Sequence, residues 1–261
     1  MNRVAIVTGA ARGIGASTVD ALVNDGYHVI AVDRCRDIPE VPYALATPAE
    51  LDAVVARHGD AVLGLVGDVR SATDMQLAVE TATRHFGRLD AVVANAGVVA
   101  AGEALWEISD AAWDAVLSVN VLGTRRLIEA AAPTLIANGK DAQSRIVAVA
   151  SSAGSTGLYH LAAYSAAKHA VLGLIRGVAM DLAPYGVTAN AVSPGSTRTA
   201  ILKASAVVYG LSSEEEFASQ QPIGRLLEPT EIAAAIVWLC SPLASAITGA
   251  DVAVDGGMTI S

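Results

Sequence analysis

Tyr164 and Lys168 stand four residues apart, a spacing that places two side chains on one face of a helix. A phenol is a poor base at neutral pH, because its ordinary pKa is about 10. A neighbouring ammonium favours the phenolate, so the spacing predicts a tyrosine whose pKa Lys168 lowers toward the range useful for exchanging a proton with an alcohol. The chain holds six tyrosines and three lysines, Lys140, Lys168 and Lys203. A pair this short is a hypothesis that other parts of the sequence must support.

The amino-terminal region supplies that support. Residues 3–8 (RVAIVT) read as a short buried strand and run directly into Gly9-Ala10-Ala11-Arg12-Gly13-Ile14-Gly15, followed by a helical stretch over about 16–24. Glycines allow the close backbone approach that a side chain would block, and a helix amino terminus offers free N–H groups to a pyrophosphate. The interval here is G-x-x-x-G-x-G rather than G-x-G-x-x-G. The next strand, about 28–33, ends in Asp33, near the position, about 20 residues on, where an acid accepts hydrogen bonds from the adenosine ribose. A carboxylate there repels a 2′-phosphate, so NAD is expected over NADP. Arg12 and Arg34 lie close enough in sequence to keep NADP open.

The elements that must position these groups follow from the apolar pattern. Further strands are predicted near 62–66, 91–94, 145–150, 188–192 and 251–254, separated by helical periodicity that includes stretches over 109–135 and 161–183. Runs such as AVVAN, RIVAVA and VTANAV are apolar almost throughout, as strands buried on both faces must be. The expectation is an α/β chain: a single-domain Rossmann-type doubly wound parallel sheet flanked by helices, spanning 1–261. Asp68, Asn95, Ser151 and Pro194 each follow a strand, and ligands in this architecture bind beyond the carboxyl ends of the strands. These residues can therefore converge.

Composition narrows the classes. A chain of 261 residues with 53% hydrophobic content can bury a sizeable core within one domain, and no linker or repeat divides it. A net charge of −9 with no basic cluster argues against nucleic acid and anionic membranes as partners. With no signal peptide and no membrane-spanning apolar run, a cytoplasmic protein is expected. Cys35 and Cys240 read as reduced and structural, and the five scattered histidines suggest no metal.

Taken in order, Thr8 to Gly15, Asp68-Val69, Asn95-Ala96-Gly97, Asn120, the Ser151/Ser152 pair, Tyr164 with Lys168, and Pro194-Gly195 through Thr197 and Thr199 give a chain that resembles the short-chain dehydrogenase/reductases nearly end to end. The resemblance implies roles. Ser151 would orient the substrate oxygen, with Ser152 the alternative. Tyr164 would exchange the proton, and Lys168 would hold the nicotinamide ribose as well as tune the phenol. Asn120 would hold a water that relays protons from Lys168; a helix-interior asparagine bonded to a local carbonyl is the plainer reading. Asp68 and Val69 would meet adenine, Asn95 to Gly97 would pack beside the cofactor, and Thr197 and Thr199 would contact the carboxamide. The reaction implied is NAD-dependent interconversion of a hydrophobic secondary alcohol and its ketone.

Two segments vary this plan. Residues 200–225 are apolar early and acidic later, which suits a substrate lid or an ordinary surface helix pair. Trp106, Leu158, Tyr159 and His160 are candidate walls for the substrate. The stretch near 35–48 carries three prolines and is expected to be a shaped loop, ending in Thr47 as N-cap, Pro48 at N1 and Glu50 as capping-box acid. This insertion resembles that of the mycofactocin-coupled, carveol dehydrogenase-like subgroup, where it would trap NAD so that mycofactocin accepts the electrons. A surface loop on an ordinary dehydrogenase or reductase with exchangeable NAD(P)(H), such as a 3-oxoacyl or steroid reductase, fits the same residues. A nucleotide sensor without activity is a third class. The small and apolar residues of the 161–183 helix, read with the family, imply a homotetramer, with a dimer second.

Overall fold

The seven apolar runs form one parallel sheet in the computed structural model of the protein, which describes residues 2–100 and 102–260. The strands are β1 (Arg3–Thr8), β2 (Tyr27–Asp33), β3 (Val62–Val66), β4 (Ala91–Ala94), β5 (Arg145–Val149), β6 (Thr188–Pro194) and β7 (Asp251–Val254), in the order β3-β2-β1-β4-β5-β6-β7. Around them lie α1 (Gly13–Asn24), α2 (Pro48–Ala56), α3 (Ala72–Phe86), α4 (Asp110–Leu117), α5 (Gly123–Ala137), α6 (Ala162–Leu182), α7 (Ala200–Val208) and α8 (Pro229–Cys240). Chain direction reverses its progress across the sheet between β1 and β4, which opens a crevice above their carboxyl ends.

Alternation along the strands divides the core in two. Val4, Ile6, Ile30, Val32, Val92 and Ile146 face one side and pack with Met75 of α3, Leu127 of α5 and Ile175 of α6. Ala5, Val7, Val29, Ala31, Val93 and Val147 face the other and pack with Val19 and Leu22 of α1, Leu51 of α2, and Ile232 and Ile236 of α8. Beneath that second layer, Arg3 and Tyr27 both donate hydrogen bonds to the carbonyl of Cys240, at 3.0 and 2.8 Å, so residues of the first two strands finish the last helix.

Local signals hold where they were strong. Thr47 and Glu50 make the predicted capping box with Pro48 at the helix start. Gly87 ends α3 at φ +80°, the left-handed conformation that glycine adopts without strain. The single helix expected over 109–135 is instead interrupted by a π-turn at Ser118–Leu122. A π-turn inserts a residue and misaligns the backbone ladder. Side chains make up the difference: Asn120 Nδ2 donates to the Val116 carbonyl at 2.8 Å, and Thr124 Oγ1 donates to the Asn120 carbonyl at 2.8 Å.

The proline-bearing stretch between β2 and α2 forms no helix, and it lies over the crevice rather than out in solvent. Ile38 and Val41 join the first core layer, while Cys35 and Ala46 join the second. The two layers grip the strap from both sides.

Candidate active site

A cleft of about 530 Å³ opens above the carboxyl ends of the strands. At its floor, Gly9 adopts φ +66°, and a Cβ there would stand 2.9 Å from the Ala96 Cα, so only glycine lets the first turn meet the end of β4. Asn95 clamps the same junction, its amide donating to the carbonyls of Thr8 and Gly9 at 2.9 and 3.2 Å. The N–H groups of Asn95 and Ala96 both donate to Thr8 Oγ1. Helix α1 starts without a side-chain cap at Arg12, whereas Thr47, Ser71, Ser109 and Thr199 cap theirs. Its first N–H groups are left for an anion.

At one end of the cleft, Asp33 accepts hydrogen bonds from the N–H groups of Ala11 and Cys35, each at 3.1 Å. Its remaining lone pairs can accept from ribose hydroxyls. The two arginines that left NADP open are committed elsewhere. Arg12 donates to the Ala44 carbonyl at 2.7 Å, and Arg34 donates to the carbonyls of Arg36 and Asp37. Arg34 also pairs with Asp68 at 3.0 Å, off its N–H axis, an ion pair without a hydrogen bond. Asp68 lines the cleft, but its oxygens chiefly hold Arg70 and Arg34. Burial works to raise its pKa, yet the hydrogen bonds and charges of those arginines hold it below the ordinary carboxylate value.

At the other end stand Ser151, Tyr164 and Lys168, brought together from the end of β5 and the first turns of α6. Burial pushes Tyr164 up to about 12, and a hydrogen bond with the Ser151 hydroxyl works the other way. Burial also pulls Lys168 down to about 8. The lowering of the phenol by the lysine, expected from their spacing, is not how this pair is arranged. The Lys168 ammonium lies 5.5 Å from the Tyr164 ring centroid and donates to the Val149 carbonyl at 2.8 Å. Between the two serines, the structure brings Ser151 to the phenol, while Ser152 is buried and its carbonyl accepts from the Ser155 and Thr156 hydroxyls.

Asn120 sits behind the cleft wall. Its amide nitrogen donates to Val98 and Val116 carbonyls, both at 2.8 Å, which leaves the Oδ1 atom buried and without a hydrogen-bond partner. That oxygen and Lys168 Nζ lie 2.7 and 3.5 Å from where a Cβ of Gly97 would be. The local carbonyl bond expected of a helix-interior asparagine is present, and the orphaned oxygen adds an acceptor on the lysine's side of Gly97.

Most of the residues proposed from sequence line the cleft: Gly9, Arg12, Gly13, Ile14, Val69, Asn95, Ala96, Gly97, Pro194, Gly195, Thr197 and Thr199 all do. Thr199 caps α7 and brings its methyl within 3.4 Å of the Gly13 Cβ position, joining the start of α7 to the glycine turn. Gly15 does not line the cleft. A Cβ there would fall 2.0 Å from the Gly9 carbonyl oxygen, so glycine at this position is what lets the turn fold. Leu158 and Tyr159 form part of the wall, whereas Trp106 is 85% exposed and His160 stacks on the Tyr159 ring, its centroid 3.8 Å away.

Sequence reasoning missed Tyr43 and Met258, which also line the cleft. Tyr43 reaches in from the strap, its oxygen accepting from the Val99 N–H at 3.1 Å. Nothing local marks it, because its partner is 56 residues away. Met258 follows Gly256 and Gly257, both at positive φ, and that glycine pair is the one signal of a turn back toward the cleft.

The residues present fit a dinucleotide: an uncapped helix start over a glycine turn, the Asp33 carboxylate at one end and a serine, tyrosine and lysine at the other. No group of three or more His, Cys, Asp or Glu that could hold a metal occurs among the described residues. A family model described as enoyl-(acyl carrier protein) reductase matches residues 9–259. The chain is 38% identical to a cis-4-hydroxycyclohexanecarboxylate dehydrogenase of Sinomonas cyclohexanicum, over 98% of this chain and 96% of the relative. It is 32% identical to a (−)-trans-carveol dehydrogenase of Rhodococcus erythropolis, over 99% and 98%. The structure of a carveol dehydrogenase from Mycobacterium avium in complex with NAD superposes with a TM-score of 0.94 at 28% identity, covering 99% of this chain and 98% of that one. The match extends through both ends of the cleft and nearly the whole sheet, and the chain belongs to the short-chain dehydrogenase/reductase family.

Proposed function

We propose that this protein is an NAD-dependent oxidoreductase that interconverts a hydrophobic secondary alcohol and its ketone, holding NAD tightly and passing electrons to mycofactocin. The observation that carries the reaction is the placement of Ser151, Tyr164 and Lys168 at the end of a dinucleotide-shaped cleft whose adjoining wall is apolar. Bound NAD would supply the hydride acceptor or donor. The chain's own residues handle the proton. Ser151 donates a hydrogen bond to the substrate oxygen; Tyr164 gives its phenol proton to that oxygen in reduction, and in oxidation, which runs in reverse, it takes the hydroxyl proton once its own has left through the relay. Lys168 places a cation near the phenol and the nicotinamide ribose, and Asn120 Oδ1 offers an acceptor for a water relaying the proton outward.

Leu158, Tyr159, Leu161, Ile201, Leu202 and Phe217 line the substrate end, and among the described residues the cations lining the cleft are Lys168 together with Arg12 and Arg34, which are bonded to the strap and to Asp68. That supports an uncharged alicyclic alcohol, in keeping with the name of the carveol relative; the substrate named for the cyclohexane relative carries a carboxylate, which this wall would leave without a partner. Tight retention is supported by the strap, which is buried in both core layers and tied down through Arg12 and Tyr43. Residues 200–225 are the substrate lid. A homotetramer through α6 is supported by the small exposed residues Ala166, Ala170, Gly173 and Gly177 along one of its faces. A cytoplasmic location remains the proposal; no described helix is long and apolar enough to cross a membrane.

The test is to denature purified, exhaustively desalted protein, identify the nucleotide released, and assay secondary alcohols with a dye acceptor and with added NAD. Near-stoichiometric NAD and dye-linked activity are the expected results. An enzyme that emerges empty and turns over with added NAD is an ordinary exchanging dehydrogenase. Release of NADP contradicts the role given to Asp33.

A further inference from the structure

Three loops meet beside the substrate wall at Tyr159 and His160. From one side the N–H of Gly102 donates to the His160 carbonyl at 3.3 Å. From another, the hydroxyl of Tyr209, the residue that ends α7, donates to the Tyr159 carbonyl at 2.5 Å. Val208 packs on the open face of Gly102, 3.5 Å from where a Cβ would begin, so the lid touches both other loops. His160 itself sits at φ +54°, a left-handed conformation that costs a non-glycine residue energy and persists when its surroundings hold it. Leu158 and Tyr159, which line the cleft, lie immediately before this turn, and α6 with Tyr164 begins immediately after it.

Tyr209 is well placed to hold it. Its ring lines the cleft and packs edge-on against Phe217 with centroids 5.8 Å apart. Burial raises its pKa, so the hydroxyl keeps its proton and remains a donor. We propose that Tyr209 is a positioning residue for the alcohol: by bonding the lid to the Tyr159 carbonyl, it fixes the wall formed by Leu158 and Tyr159 and so sets which alcohols fit. This rests on the reading of the site as an alcohol dehydrogenase. The bond lies where an alcohol would pack and away from the adenosine end. Its loss acts on alcohol binding rather than on the nucleotide or the proton-transfer group.

Tyr209→Phe removes the donor and keeps the ring against Phe217. With cyclohexanol and carveol as probes, the expected result is a KM raised about fivefold, the equilibrium size of one ordinary hydrogen bond, with kcat and the retained nucleotide unchanged. Hydrogen exchange of the amides over 156–161 is expected to quicken in the same variant. An unchanged KM overturns the proposal, and so does a fall in kcat or in nucleotide retention that matches the change in KM. If the parent protein oxidises neither alcohol, the alcohol reading has failed on its own. The exchange measurement then decides: faster exchange over 156–161 supports the tether, and unchanged exchange removes it.

Discussion

At the scale of single residues, the cleft sets two buried titrating groups against their ordinary behaviour. Tyr164 at about 12 is a proton donor at neutral pH, and Lys168 at about 8 binds its proton less firmly than a free lysine. Between pH 8 and the ordinary lysine value of 10.5, the unfolded chain holds a proton that the folded chain has lost. Stability of the nucleotide-free protein should therefore rise with pH across that window, and below it the buried ammonium is a standing cost. Lys168→Met is expected to stabilise the nucleotide-free protein at pH 7 by about 3 kcal/mol, an advantage that fades toward pH 10.5. Urea unfolding at several pH values measures it, and an advantage independent of pH would contradict the assignment. Tyr164→Phe should lower turnover by about a thousandfold while nucleotide binding stays near that of the parent, read by fluorescence titration; ordinary turnover would remove Tyr164 from the reaction. The identities of these residues were legible in the sequence because their order is. Their tuning was not, because desolvation depends on everything packed around them rather than on a four-residue spacing.

Elements were legible to different depths for a physical reason. β1, β4 and β5 are apolar on both faces, the pattern of strands covered on both sides of a sheet. The π-turn at Ser118–Leu122 left no mark because side chains replace its missing backbone bonds, and the composition of a helix stays the same. The strap showed its prolines but not its destination, since burial of Ile38 and Val41 and the Tyr43 bond are all long-range. Two predictions belong here. Tyr43→Phe removes the acceptor of the Val99 N–H and should speed NAD release about fivefold, by the size of one hydrogen bond; stopped-flow release rates equal to the parent's would show that the strap is held by packing alone. Gly15→Ala drives a Cβ into the Gly9 carbonyl and is expected to cost about 2–4 kcal/mol of stability, seen in thermal melts without any ligand. A loss confined to nucleotide affinity, with the melt unchanged, would return Gly15 to the ligand site.

For the molecule as a whole, the closing of α8 by Arg3 and Tyr27 has a meaning for how the protein comes into being. A ribosome delivers α1 early, yet Val19 and Leu22 find their partners Ile232 and Ile236 only when residues 229–240 arrive. β1 gains β2 quickly and waits for β4, and the nascent chain carries an apolar α1 without its α8 partner until residues 229–240 are made. Long-range pairing of this sort is slow and exposed to aggregation. A chain stopped at residue 228 should therefore accumulate as aggregate or remain bound to chaperone, and a soluble product with native-like near-ultraviolet dichroism would refute this. Folding of this enzyme is in that sense gated by α8, and damage to that helix should reduce how much protein exists before it changes how well any of it works.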